Sequence, residues 1–255
     1  MVSRNEIKLI KSLNSKKNRL KELLFTVEGE KMVDELLSSN YKVKKIYGTK
    51  VWYENNFSKL DLIDFQKISN DELCRISNLK TPNNVLALVE IFSNELDYTK
   101  FKGTTLILDS INDPGNLGTI IRTCEWFGVK DIVCSLDSVD CYNPKVVQSA
   151  MGSLSRINIT YLDLKNFLTS VSLNKFGTFI NGQAVFENKI STDKGIVVVG
   201  NEANGISENL RSLIDIELTI PRFNNERFPE SLNLSNSLGI ILSEFSRKSS
   251  EMKNL

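Results

Sequence analysis

Thr105-Leu106-Ile107-Leu108, followed by Asp113-Pro114-Gly115-Asn116-Leu117-Gly118, is the stretch that decides the fold class of this chain. A short continuous apolar run reads as a strand buried on both faces of a parallel sheet. The loop after it stands at the strand's carboxyl end, where open α/β sheets place ligands. Leu117, Ile120, Ile121, Cys124 and Phe127 then recur at helical spacing, and Gly128 supplies a stop. The alternation repeats at Lys130–Ser135 and at Ile196–Val199 before Gly200. The pattern predicts a layered parallel α/β domain from Thr104 onward.

Upstream the pattern is a helix, a strand at Leu24–Gly29, a helix from Glu30 to Leu37, and short strands at Val43–Tyr47, Asp61–Asp64 and Val85–Val89. A smaller α/β domain over residues 1–92 is therefore expected. The polar residues 93–103 read as a linker, and 104–255 as the second domain.

Composition narrows the chemistry. The chain has 255 residues, a net charge of +1 and no histidine, which removes histidine bases, Ser-His-Asp triads and most catalytic zinc sites. Cys74, Cys124, Cys134 and Cys141 lack metal-type spacing and read as reduced thiols of a cytoplasmic protein. No run approaches the roughly 20 apolar residues of a membrane span, so neither a membrane nor a metal is expected. Lys8, Lys11, Lys16, Lys17 and Arg19 form a cationic patch near the N-terminus, suited to phosphate oxygens. The same segment could equally be a solvated helical face, with Ile7, Ile10, Leu13, Leu20, Leu23 and Leu24 as its buried side.

Two further segments have the strand, loop, helix form. Val197-Val198-Val199-Gly200-Asn201-Glu202 leads to Gly205, and Ile220-Pro221 leads to Ser231-Leu232-Asn233 ahead of an apolar helical stripe. Three such loops suggest one shared pocket. Gly115 and Gly118 lack the third glycine of a dinucleotide fingerprint, and no P-loop lysine follows, which disfavours a nicotinamide oxidoreductase. Taken singly, Asn116, Ser231 and Asn233 could be helix caps, and Arg122 and Glu202 a surface ion pair.

Together the three segments resemble the SpoU or TrmH-type RNA 2′-O-ribose methyltransferases of the SPOUT superfamily. Asn116, Gly118 and Arg122 match the first family motif, Gly200, Glu202 and Gly205 the second, and Ile220, Pro221, Ser231, Leu232 and Asn233 the third. Lys16–Arg19 and Phe25–Gly29 resemble the start of the L30e-like RNA-binding domain that precedes the catalytic domain in many members. The resemblance implies a trefoil-knotted domain that binds S-adenosyl-L-methionine through Gly200, Ile220 and Leu232. It also implies a homodimer acting on structured RNA, ribosomal ahead of transfer RNA. By the same resemblance Asn116, Arg122, Glu202, Ser231 and Asn233 are catalytic, with Arg122 activating the 2′-hydroxyl. The alternative is an RNA-binding assembly factor that keeps the fold without activity. Residues 222–230 are longer than the family's usual connection, and their arginines and phenylalanines suit phosphates and bases.

Overall fold

The computed structural model describes residues 1–60, 62–91, 103–187, 194–224 and 231–253. By contacts the chain forms two compact units, Met1–Ser93 with Asp140–Arg156, and Asn94–Val139 with Ile157–Leu255.

The first unit opens with α1 (Arg4–Ser12), started by a capping box in which Ser3 and Glu6 exchange side-chain-to-backbone hydrogen bonds. Then come α2 (Lys16–Glu22), β1 (Leu24–Glu28), α3 (Glu30–Leu37), β2 (Val43–Gly48), α4 (Lys50–Asn56), β3 (Phe65–Lys67), α5 (Asn70–Ile76) and β4 (Val85–Glu90). A second capping box, Ser69 with Glu72, starts α5. The sheet order is β1-β4-β2-β3, with β4 antiparallel to both of its neighbours. The strand expected at 61–64 lies instead at Phe65–Lys67: Phe65 pairs in parallel with Ile46 and packs on Trp52 and Tyr53. Asp61 is outside the described residues. Leu20 and Leu23, expected in the helical core stripe, are each 57% exposed, because Leu23 is the left-handed residue that ends α2. The core is carried by Ile10, Leu13 and Leu24 together with Tyr47, Ile76, Leu86 and Leu88.

In the second unit β5 (Thr104–Leu108) leads into α6 (Pro114–Trp126) and β6 (Asp131–Ser135). The next helix, α7 (Pro144–Ala150), lies in the segment that packs with the first unit, against β1. The second unit continues with β7 (Asn158–Leu162), α8 (Leu164–Ser170), β8 (Lys175–Ala184), β9 (Gly195–Val199), α9 (Glu208–Arg211), β10 (Ile216–Thr219) and α10 (Leu234–Lys253). Its six strands run in the order β10-β8-β9-β5-β6-β7, all in parallel pairs. The expected α/β class holds: a parallel-sheet domain with a smaller α/β partner. Alternate strand residues bury on opposite faces. Ile107, Val133, Ile196 and Val198 pack with Leu164, Phe167 and Leu210, while Phe176 meets Phe245 of α10 edge to face at 5.1 Å. The expected linker, 93–103, lies outside the described residues except for Gly103, as do residues 225–230 of the long loop ahead of α10.

The first unit buries a charge. Arg19 is 2% exposed, donates through Nε and Nη2 to Asp140 at 2.8 and 2.6 Å, and through Nη1 to the Leu13 carbonyl at 2.7 Å. This removes it from its expected place among the phosphate-binding cations, since the guanidinium is buried and bonded to Asp140 and the Leu13 carbonyl. Asp140 belongs to the segment carrying α7, so this pair, together with Tyr142 against Phe25 at 4.6 Å, holds that segment to β1.

Candidate active site

The motif loops gather at the carboxyl ends of β5 and β9 because a parallel sheet delivers all its exits to one edge. After Leu108 the chain passes Asp109 and Ser110 to Asp113, the N-cap of α6, whose Oδ1 accepts the Asn116 backbone N–H at 2.7 Å. Pro114 occupies the first helical turn, where its missing N–H costs no bond. Capping by Asp113 leaves the Asn116 side chain available for the site.

That side chain joins the three motifs. Asn116 Nδ2 donates to Glu202 Oε1 at 2.8 Å, and Asn233 Nδ2 donates to Asn116 Oδ1 at 3.1 Å. Asn233 Oδ1 accepts from Ser235 N at 3.0 Å, Ser235 Oγ at 2.6 Å and Asn236 N at 3.4 Å, so it also caps α10. Because backbone donors fix the Asn233 carbonyl, its amide must face Asn116, and Asn116 must in turn direct an N–H at Glu202. The cleft around this chain, about 700 Å³, is lined by Asp113, Asn116, Asn201, Glu202 and Asn233 among others.

Glu202 stands in a tight loop closed by two bonds between Asn201 and Gly205, each 2.9 Å. A methyl group at Gly200 would fall 2.1 Å from Gly205 C and Ile206 N. The glycine is therefore required by the chain's own return over β9, whatever ligand it approaches. Gly205 has φ 69°, a conformation open to glycine without Cβ strain.

Arg122 lies elsewhere on α6. Six residues beyond Asn116 are about 9 Å along the axis and turned to a different face. It is exposed and lines a cleft of about 870 Å³ between α6 and α10, with Trp126, Phe127, Phe186, Ser235 and Asn236. Among the described residues it has no ion pair, and Glu202 bonds to Asn116 and not to Arg122. Ser231 is exposed ahead of α10.

The expected cofactor residues share the sheet's exit edge. Gly200 follows β9, Ile220 follows β10 and is half-buried, and Leu232, 49% exposed, precedes α10. β10 pairs with β8 at Gly177 and again at Gln183, so residues 178–182 leave the ladder. Thr219 Oγ1 bonds the Ile180 carbonyl at 2.8 Å, while the Ile180 side chain is largely exposed. Accessible apolar side chains beside these strand exits fit the flat ring of a nucleoside.

In the first unit Lys8, Lys11, Lys16 and Lys17 are exposed on α1 and α2, with Lys11 Nζ donating to the Ser77 carbonyl. Cys74 is exposed and Cys124, Cys134 and Cys141 are buried; burial pushes the Cys124 and Cys134 thiols upward. Among the described residues no cluster of three metal-ligating side chains occurs, and no helix is long and apolar enough to cross a membrane. Sequence reading singled out Asn116, Glu202 and Asn233, but not Ser110, Asp113, Ser135 or Ser138, whose short polar side chains carry no signal until strand ends converge.

Residues 103–243 match the model of the SpoU rRNA Methylase family, and residues 4–87 that of an MRM3-like substrate binding domain. The chain is 29% identical over 242 residues to the 23S rRNA (guanosine(2553)-2′-O)-methyltransferase RlmP of Bacillus subtilis, covering 93% of this chain and 94% of that protein. Among solved structures, a TrmH-family protein from Porphyromonas gingivalis superposes with TM-score 0.86 at 33% identity, over 98% of this chain and all of that one. An AdoMet-bound rRNA methyltransferase from Sinorhizobium meliloti gives 0.86 at 25% identity over 97% of each chain.

Proposed function

The chain belongs to the SpoU rRNA Methylase family, and on that premise we propose that it transfers a methyl group from S-adenosyl-L-methionine to a ribose 2′-hydroxyl of structured RNA, ribosomal RNA ahead of transfer RNA. The observation that carries the reading is the hydrogen-bonded chain Asn233, Asn116, Glu202, which joins one residue from each of three motifs in one cleft. The kinship with RlmP and with an AdoMet-bound rRNA methyltransferase supports both substrate class and cofactor.

The cofactor supplies an electrophilic methyl on a sulfonium. Gly200, Ile220 and Leu232 would hold it at the exits of β9 and β10. The protein's task is then to position the hydroxyl and favour its loss of a proton. Asn116 has its carbonyl on Asn233 and one N–H on Glu202, so a second N–H remains to orient a ribose oxygen. Glu202 Oε2 is left to accept from the hydroxyl. Asn233 and Ser231, at the start of α10, face phosphate or hold the loop. From the neighbouring cleft, on another face of α6, Arg122 would stabilise the developing alkoxide or hold an adjacent phosphate, roles suited to a guanidinium cation.

Residues 1–92 would grip the RNA, with Lys8, Lys11, Lys16 and Lys17 on phosphates. A cytoplasmic homodimer completes the reading. The face formed by Trp126, 85% exposed, Phe127, Phe186 and Ile240 suits a second copy, because an apolar surface of this kind is stabilised by burial. Trp126→Asp should then shift the protein to monomer in sedimentation; a native-like monomer before substitution would exclude the dimer.

The deciding experiment measures labelled methyl transfer to RNA lacking modifications, with mapping of alkali-resistant linkages, in the native chain and in Arg122→Ala. Label at a defined 2′-oxygen that disappears in the variant is expected. Absence of both label and cofactor binding would replace this reading with the silent RNA-binding factor.

A further inference from the structure

We infer that Asn201 and Ser110 are positioning residues that carry the state of the 200–206 loop to Asn116, and so set its alignment against Glu202. The inference rests on the methyltransferase reading above.

Ser110 has φ 57°, left-handed for a residue with a Cβ, at the exit of β5. Such a conformation persists only where the surroundings over-determine it. Three bonds do so. Ser110 N donates to Ser135 Oγ at 2.8 Å, its hydroxyl donates to Asp137 Oδ2 at 2.7 Å, and its carbonyl accepts from Asn201 Nδ2 at 2.7 Å. Ser135 Oγ and Ser138 Oγ stand 2.9 Å apart, and Ser138 Oγ accepts from Ile111 N at 3.0 Å. The exit of β5 is thus fixed from β6 and from the loop after β9.

Asn201 is committed at both ends. Its Oδ1 accepts from Ala203 N at 2.9 Å and Asn204 N at 3.2 Å, so its amide cannot turn without losing two donors and must face Ser110. Asp109 Oδ2 accepts from Ser207 N at 2.7 Å, which closes the far side of the same loop. Two neighbouring residues, Asn201 and Glu202, therefore hold the 109–116 segment at two points, the Ser110 carbonyl and the Asn116 amide. A ligand that orders the main chain at 200–205 displaces or steadies Asn116 through these links, and by reciprocity cofactor and RNA affinities become coupled.

Asn201→Asp isolates the link, because the carboxylate still accepts from Ala203 and Asn204 but has no proton for the Ser110 carbonyl. With an in vitro transcribed, unmodified 23S rRNA, kcat should fall about a hundredfold, the order expected for a misplacement of about 1 Å, while cofactor KM and the melting temperature stay near native. Asn116→Ala should then cost at least about tenfold less in the Asn201→Asp background than in the native chain, whereas a merely structural loss would give additive effects. Ser110→Gly, which keeps the carbonyl and tolerates the conformation, should retain most of the activity. Hydrogen exchange gives a readout without RNA: S-adenosylhomocysteine should protect both 200–206 and 110–118 in the native chain, and only 200–206 in Asn201→Asp. Native kcat, additive effects, or protection that reaches 110–118 in the variant would each overturn the inference. A native chain that neither methylates RNA nor binds cofactor sinks the methyltransferase reading, and in one that binds cofactor without methylating the exchange experiment still judges this inference.

Discussion

Arg19 in the first unit and Arg122 in the second are the same side chain put to opposite uses. Arg19 is buried, with its donors on Asp140 and the Leu13 carbonyl, and it organises a core. Arg122 is exposed, with no ion pair among the described residues, and it lines a cleft. The first unit spends its polar groups internally: Glu28 accepts from the Ser77 hydroxyl and the Asn78 N–H, and Glu6 holds Lys45 and Tyr47. The second unit collects asparagine, serine and glutamate at strand exits where one face stays open. A polar group whose partners are all protein is architecture, while one with unfilled directions beside a cleft is available for chemistry.

The sharpest test of that contrast is the pair of arginine substitutions. Arg122→Ala should reduce methyl transfer by on the order of a thousandfold, as loss of one transition-state donor does, with stability changed by less than about 0.5 kcal/mol. A variant that melts early with undiminished kcat would break the comparison. Arg19→Met should do the reverse, costing about 3–5 kcal/mol in denaturant unfolding because Asp140 is left without its partner. Adding Asp140→Leu should recover much of the loss, since an apolar pair of similar volume replaces a buried ion pair at little cost.

Two glycines give a smaller effect. Gly200→Ala puts Cβ onto backbone that cannot swing away and should cost about 3 kcal/mol, the upper range for overpacking, with weakened cofactor binding. Gly128→Ala, at φ 73° with nothing within 4 Å, meets only conformational strain and should cost about 1–2 kcal/mol. Equal losses would mean that the return over β9 relaxes.

The smallest effect is acid sensitivity in the first unit. The Ser3 hydroxyl, then the Lys45 ammonium, hold the Glu6 carboxyl down at about 2, against 4.5 for an ordinary glutamate. A depressed folded pKa contributes stability that is complete above the ordinary value and is lost as pH falls toward the folded one. Melting temperature should therefore decline from about pH 4.5 to 2, and the decline should be shallower in Glu6→Gln, which keeps the capping box but not the charge. Identical slopes would remove Glu6 from the account.

The layered sheet was legible because β5, β6 and β9 are short apolar runs and α6 has a clear stripe. The 65–67 strand was missed because Phe65 is chosen by packing on Trp52 and Tyr53, a tertiary preference that overrides local β propensity. The exposure of Leu20 and Leu23 was hidden by a left-handed turn that periodicity does not register. Among site residues, Asn116, Glu202 and Asn233 were legible only through the family resemblance of the motifs that hold them, and the helix-cap role open to Asn116 went to Asp113.

By itself the sequence determined the α/β class and the places of the three motif loops, because strand and helix periods and glycine-rich turns are local properties. Only the tertiary structure decided that Arg19 is architecture, that Asp140–Arg156 packs with the first unit, and that Asn116, Glu202 and Asn233 form one directed chain. Such outcomes depend on which groups residues more than 80 positions apart present to one another, and a hydrogen bond's partner is not written in either residue's own neighbourhood.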